Sequence, residues 1–242
     1  MNFCYTYCSF NGKTLPTDDF FAKMAKLSVV SLGASVTGEI ILYADNAAAD
    51  YFTQKEIVFD KIKIVDFTKY DTDPRYWNFG KLLTYHLQEE PFLHVDFDTV
   101  FLPGFYVPEA DIITEKIRPY KRNIDFERHE IPNYPAPKKL VCSGLIGMNG
   151  NTEEAKFCFD RVFYKAQFEC KNGAKKTINE RNLIGIEEYA LTQLIEQRNL
   201  TVAELDSNFY AHFQGANKKK EYGPLINKLY YKFGCNTDWM TL

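Results

Sequence analysis

Apolar and polar positions in the first hundred residues follow two rhythms in turn. Phe3–Ser9 reads as a strand closed by the turn dipeptide Asn11-Gly12. Pro16 and the cluster Thr17-Asp18-Asp19 then open a helix. Its apolar face is Phe20, Phe21, Met24, Leu27 and Val30-Ser31-Leu32, and Gly33 stops it. Glu39–Ala44 (EIILYA) is a second strand, a short helix covers Ala47–Phe52, and Lys61–Val65 is a third strand. This β-α-β-α-β order predicts parallel strands joined by helical crossovers. Trp77–Leu87 carries Phe79, Leu82, Leu83 and Leu87 on one stripe, which predicts a helix running into the apolar stretch Pro91–Leu102, PFLHVDFDTVFL.

Past that stretch the pattern predicts a strand at Asp111-Ile112-Ile113. Arg118–Lys139 is a charged segment punctuated by Pro119, Pro132, Pro135 and Pro137. A loop that long inside a compact domain is expected to be a lid or an acceptor-binding segment. Leu140–Met148 reads as an apolar strand interrupted by Gly144 and Gly147. Helices over Thr152–Phe168 and Ile186–Gln197 follow, then a short strand near Thr201–Leu205. The tail, Lys218–Leu242, holds a basic-aromatic run at Lys228–Gly234. The expected architecture is α/β, with a mainly parallel central sheet flanked by helices and a ligand cleft at the carboxyl ends of its strands.

Composition narrows the function more than the fold. A chain of 242 residues, 45% hydrophobic and 25% charged, has room for one large globular α/β domain. A net charge of -3 argues against a nucleic-acid partner, because phosphate binding calls for a basic stripe. The start, MNFCYTYCSFNGK, lacks the charged and apolar regions of a signal peptide, and no apolar run reaches the ~18 residues of a membrane span. Six cysteines show neither a C-x-x-C pair nor zinc spacing. Reduced, packed thiols in a cytoplasmic protein are therefore expected.

The sharpest chemical signal is Asp96-Phe97-Asp98. At the end of a strand, period-2 geometry points both carboxylates to one side. Two carboxylates held that close repel each other unless a cation or a proton lies between them. A hard divalent ion such as Mg²⁺ or Mn²⁺, which chooses oxygen ligands, is the expected partner. Lys81 stands on the preceding helix. Downstream come Cys142-Ser143-Gly144-Leu145-Ile146-Gly147, whose glycines permit close approach of a ligand, and the acidic pair Glu187-Glu188. Last is His212-Phe213-Gln214-Gly215-Ala216-Asn217-Lys218, which spells H-x-x-G-x-x-K.

In this order the motifs resemble those of the metal-dependent GT-A glycosyltransferases, in particular the glycogenin-like and lipopolysaccharide-galactosyltransferase-like branch. The resemblance runs from the first strand to Lys218 and rests on the motifs. It implies a GT-A-like fold in a single domain over residues 1–242. Residues 1–100 would be the nucleotide-binding half ending in D-x-D, 101–217 the donor-sugar and acceptor half, and 218–242 a C-terminal tail. It further implies Mn²⁺ or Mg²⁺ held by Asp96, Asp98 and His212, with Asp96 shared with the donor ribose and Lys218 paired with the diphosphate. Lys81 would contact the donor, at a position more often Arg in that branch. Glu187 or Glu188 would take the catalytic place of an acidic pair, usually Asp, that holds the donor sugar's hydroxyls. Ser143 would line the donor pocket, and Tyr7, beside Tyr5 and Thr6, would lie where the nucleobase stacks. The implied reaction transfers a sugar from a nucleotide diphosphate sugar, a UDP-sugar by this branch, to an acceptor hydroxyl with retention. Glycans are the expected acceptors.

The residues also admit plainer roles. His212 fits a core histidine, Lys218 a solvated Lys218-Lys219-Lys220 run, Lys81 a surface lysine, and Tyr7 the core. Glu187-Glu188 fits a helix start complementing the macrodipole, and Asp45 fits a turn cap as well as a nucleotide contact. His94 shares parity with Asp96 and Asp98, so its ring is placed beside the pocket. The tail run fits a packed helix or a peripheral membrane contact. One rival is a phosphatase of the haloacid-dehalogenase type with Asp96 as nucleophile, since Asp96-Phe97-Asp98-Thr99-Val100 matches its motif. Against it, three strands precede the motif and the downstream aspartates are isolated. A nucleotide-sugar-binding domain without turnover is the rival of another class.

Overall fold

The computed structural model describes residues 1–10, 12, 14–70, 78–121, 130–150, 152–173, 181–213 and 218–233. Its centre is a seven-stranded sheet in the order β10-β6-β9-β4-β1-β2-β3. The strands are β1 (Asn2–Tyr7), β2 (Glu39–Ala44), β3 (Lys61–Ile64), β4 (Phe92–Val95), β6 (Ile112–Thr114), β9 (Leu145–Met148) and β10 (Val202–Glu204). All run parallel except β9, which lies antiparallel between β4 and β6. The expected α/β architecture with a mainly parallel sheet is therefore what the chain adopts.

Burial explains why these segments are strands. In β1, Phe3 and Tyr5 enter one core, while Cys4 enters the other; in β2, Ile40 and Leu42 oppose Ile41 and Tyr43 in the same way. A sheet covered on both faces needs such apolar residues at consecutive positions. The edge strand β3, KIKI, is exposed throughout. Lys61 and Lys63 there discourage pairing with another chain.

One face is covered by α1 (Asp19–Gly33) and α2 (Asn46–Gln54), whose side chains join Phe52, Phe97, Leu93 and Tyr5. Asp18 caps α1 by accepting from Phe21 N at 3.3 Å. Asp45 caps α2 through Ala48 N at 2.9 Å, and it also accepts from Ser9 N and Ser9 Oγ at 2.7 and 2.6 Å. Asp45 thus works as a turn cap that clamps the chain leaving β1. The other face is covered by α3 (Phe79–His86), α4 (Thr152–Gly173) and α6 (Leu191–Gln197), packed through Tyr85, Phe92, Phe159, Phe163 and Leu194. A short α5 (Arg181–Gly185) passes into α6 through one π-helical turn, Ile186–Ala190. Within α1, the buried Ser31 Oγ accepts from Phe101 N at 3.0 Å, which anchors the chain beyond β4.

Several expected elements divide differently. The Pro91–Leu102 run is two strands, β4 and β5 (Thr99–Phe101), with Asp96–Asp98 in the turn between them; Thr99 N closes that turn on Asp96 O at 3.1 Å. Leu140–Met148 is likewise two strands in different sheets: β8 (Lys139–Val141) pairs with β7 (Ile117–Pro119), and β9 joins the central sheet. The flanks of the Arg118–Lys139 segment are tied down. Gln193 accepts from Ile131 N at 2.8 Å and donates to Tyr134 O and Pro135 O, while residues 122–129 lie outside the described residues. The tail forms α7 (Lys218–Lys232), which buries Ile226 and Tyr230 against Met24 and Leu27 of α1. Leu229 and Phe233 of the run pack against the same cluster, so that part of the run belongs to a docked helix. Among the described residues no helix is long and apolar enough to cross a membrane.

Candidate functional site

The turn after β4 lies at the carboxyl edge of the parallel strands, where open α/β sheets keep their clefts. Two pairings carry distant residues to it. Strand β11 (Tyr210–His212) runs antiparallel to β5, in a register that sets His212 opposite Thr99. Phe213 N then donates to Asp98 O at 2.8 Å, which fixes the end of β11 on the turn. Strand β9 pairs Leu145 with Val95, so Ser143 and Gly144 emerge beside Asp96. The β5–β11 ribbon was not anticipated, because its partner strand holds only three residues of mixed polarity.

Asp96, Asp98 and His212 meet here, with one ligand atom from each lying within 4.8 Å of the others. His212 Nε2 is 3.1 Å from Asp98 Oδ1, and its Nδ1 is 3.1 Å from Glu115 Oε2. Two carboxylates and an imidazole form a donor set suited to a divalent ion. Ligands standing roughly 2.0–2.6 Å from one ion span a corner of this size. The residues present thus fit the metal expected from the sequence.

The electrostatics have the same shape. Burial, with help from the adjacent Asp98, pushes Asp96 up to about 6, although Lys81 and His212 pull against the shift. Burial alone would depress the His212 imidazole, but hydrogen bonds to Asp98 and Glu115 outweigh it and raise the group to about 9. Without a metal, a proton shared with His212 does part of the balancing that a cation would do.

Lys81 is no surface lysine, being only 6% exposed. Its ammonium lies 3.0 Å from Asp96 Oδ1 and 3.5 Å from Glu187 Oε1, and it donates to Ser143 O at 2.9 Å. Three partners match the three donors of an ammonium. Burial opposes the charged form, yet Asp96 and Glu187 outweigh it and raise the lysine's pKa.

Glu187 and Glu188 are both buried, on the π-helical turn. Such turns are frequent at functional sites. Their adjacency turns them to different partners: Glu187 accepts from Tyr85 OH at 2.6 Å, whereas Glu188 pairs with Arg118 and accepts from Ser143 N at 3.4 Å. Burial raises the Glu188 carboxyl, against the pull of Arg118. His94 is buried beneath the site, and its Nε2 shares a hydrogen bond with Thr6 Oγ1 at 3.0 Å. Its Nδ1, 3.9 Å from Asp96 Oδ1, has no hydrogen-bond partner. Burial and Lys81 hold its pKa well below the usual range, so the ring is neutral.

Tyr7 ends β1 in an aromatic group with Phe21, Phe52 and Phe97, and its hydroxyl donates to Thr14 O at 2.7 Å. The side chain of Lys218, with residues 214–217 of its motif, lies outside the described residues; its backbone opens α7. The glycines of the 142–147 motif meet protein rather than open space. A Cβ on Gly147 would stand 2.8 Å from the Leu93 backbone, and one on Gly144 would stand 2.5 Å from Glu115 Oε2. Glu115, Tyr85 and Arg118 are the participants that sequence reasoning missed. Glu115 carried one usable signal, its place immediately after a strand of the parallel set.

Comparison with known proteins supports the architecture. A family model described as a family of unknown function (DUF6734) matches residues 16–118, the span from the start of α1 through the D-x-D turn to β7. No curated protein matches the sequence. The apo crystal structure of mouse xyloside xylosyltransferase 1 is similar in fold, with a TM-score of 0.50 and 13% sequence identity over 95% of this chain and 94% of that one. The chain therefore has a glycosyltransferase-like fold, with an Asp-Asp-His cluster capable of holding a metal at its carboxyl edge.

Proposed function

We propose that this chain is a metal-dependent glycosyltransferase that moves a sugar from a nucleotide diphosphate sugar, a UDP-sugar, to an acceptor hydroxyl with retention. The observation that carries the reading is the convergence of Asp96, Asp98 and His212 on one corner of a glycosyltransferase-like fold. Mn²⁺ or Mg²⁺ held by these three residues would supply positive charge to the departing diphosphate. Asp96 also faces the donor ribose. Lys81 holds the Asp96 carboxylate in place and, through Ser143 O, fixes the wall of the donor pocket. Glu187 and Glu188 hold the donor sugar's hydroxyls, Lys218 adds a second charge at the diphosphate, and the exposed part of Tyr7 borders the nucleobase. The acceptor is a glycan hydroxyl.

The test is calorimetric and thermal-shift binding of UDP, GDP, ADP and CDP, each with Mn²⁺ or with EDTA, on the wild type, Asp98→Ala and His212→Ala. Manganese-dependent binding of UDP that disappears in both variants is expected. Binding of no nucleotide, or binding indifferent to both substitutions, would refute the proposal. Turnover of a UDP-sugar by the wild type then separates an enzyme from a binding domain.

A further inference from the structure

An imidazole has two nitrogens, and His212 meets a different carboxylate at each. Nε2 faces Asp98 Oδ1 at 3.1 Å, in the corner shared with Asp96, and Nδ1 faces Glu115 Oε2 at 3.1 Å on the opposite edge of the ring. We propose that Glu115 is a positioning residue that holds the Nδ1–H of His212, so that Nε2 is the nitrogen presented to a divalent cation. This inference rests on the metal-site reading above and deepens it.

Glu115 is held as a support would need to be. Its backbone N donates to Leu145 O at 2.7 Å and its backbone carbonyl accepts from Tyr210 OH at 3.0 Å. Tyr210 and His212 lie two residues apart on β11, hence on one side of it. The hydroxyl of one thus ties that strand to the residue that orients the ring of the other. The carboxylate is buried, and Oε2 also accepts from Cys142 Sγ at 3.4 Å. A carboxylate buried to that degree without a partner would be costly, and its charged partner here is His212.

Gly144 supplies a second, independent observation. A Cβ at this position would stand 2.5 Å from Glu115 Oε2 and 2.8 Å from His212 Nδ1, and closer still to His212 Cε1. Only a residue without a side chain leaves room for the Glu115–His212 contact. Gly144 of the 142–147 motif therefore serves the imidazole–carboxylate pair. Metal-bound histidines characteristically give their second N–H to a carboxylate or carbonyl, which fixes the tautomer and the ring orientation.

The experiment is Mn²⁺ titration, read by electron paramagnetic resonance and calorimetry, on the wild type, Glu115→Gln, Glu115→Ala, Gly144→Ala, Asp98→Ala and His212→Ala. Side-chain ¹⁵N spectra of the histidines, of which the chain has four, accompany it. Loss of the carboxylate should weaken Mn²⁺ binding by about 10- to 100-fold. Glu115→Gln, whose carbonyl still accepts from Nδ1–H, should recover part of that loss, and Gly144→Ala should resemble Glu115→Ala. The His212 Nδ1 resonance should move in Glu115→Ala without any metal added. Glu115→Gln and Gly144→Ala keep the test alive if Glu115→Ala does not fold. Mn²⁺ binding that needs Asp98 and His212 but is equal in wild type, Glu115→Gln and Gly144→Ala would overturn the role of Glu115 alone. Absence of Mn²⁺ binding in the wild type, or indifference to Asp98→Ala and His212→Ala, would overturn the metal site and this inference with it.

Discussion

Replacing Lys81 by methionine should be among the most damaging single changes in this protein, for a reason read directly from its contacts. Methionine nearly matches the lysine stem in volume, so packing changes little. The charge change is what matters. Lys81 sits against Asp96 at 3.0 Å and Glu187 at 3.5 Å, with its own side chain almost fully buried. Removing one partner of a buried pair typically costs about 3–5 kcal/mol, because the remaining charge stays buried without compensation. Asp96 keeps some access to water and has His212 nearby, which places the expectation near the lower end, about 3 kcal/mol. For a chain of this size that corresponds to a fall in Tm of roughly 6–12 °C. Urea unfolding of the metal-free protein measures it. The double variant Lys81→Met/Glu187→Gln should recover about 0.5–3 kcal/mol, since the amide no longer needs the cation and can still accept from Tyr85 OH. A Lys81→Met protein within about 0.5 kcal/mol of wild type, the ordinary range of surface changes, would refute the claim that this lysine is the buried counter-charge of the site.

Two further predictions concern the scaffold. Gly147→Ala should destabilise by about 1–3 kcal/mol, because its Cβ would stand 2.8 Å from Leu93 Cα across the β4–β9 pair, where the neighbour is backbone; unchanged urea unfolding would count against it. Burial pushes the thiols of Cys4, Cys8, Cys142 and Cys158 up to about 12, so at pH 8 the native protein should leave them unalkylated by iodoacetamide while the denatured protein reacts at all four. Since these folded-state values exceed the unfolded ones, the folded state holds the protons more tightly. Their contribution to stability is complete below about pH 8.5 and is lost as pH rises toward 12, which alkaline thermal melts would register as a falling Tm.

Much of the fold was legible because local periodicity and burial agree. Strand β2 lies at Glu39–Ala44 as read, α1 starts within the Thr17-Asp18-Asp19 cluster and ends at Gly33, and the β-α-β-α-β order appears where the pattern put it. Legibility failed where a strand was short or where one apolar run served two sheets. Residues 92–101 look like a single strand because Leu93, Val95, Phe97 and Phe101 keep an apolar alternation running past the two aspartates. The chain turns at Asp96–Asp98 and enters a second pairing, with β11, that only the tertiary structure supplies. The same holds for Leu140–Met148, whose two halves pair with β7 and with β4.

The site was legible as motifs and not as contacts, and the difference lies in charge. Asp96 and Glu187 meet Lys81, Glu188 meets Arg118, and Asp98 and Glu115 meet His212, all at the carboxyl edge of the sheet. Stability alone is a poor reason for such an assembly, because buried ion pairs at best return roughly what their desolvation costs. Perturbed ionisable groups collected at a sheet edge are instead the signature of a place where charge arrives from outside. The Asp96–Asp98–His212 corner is where the described residues offer a hard divalent cation ligands. Sequence reasoning found the three residues that would touch the ion because they recur as a motif. It missed Glu115 because a residue that acts through the histidine needs no fixed spacing from it: β6 pairs within the central sheet and β11 with β5, and only the tertiary structure brings the two side chains together.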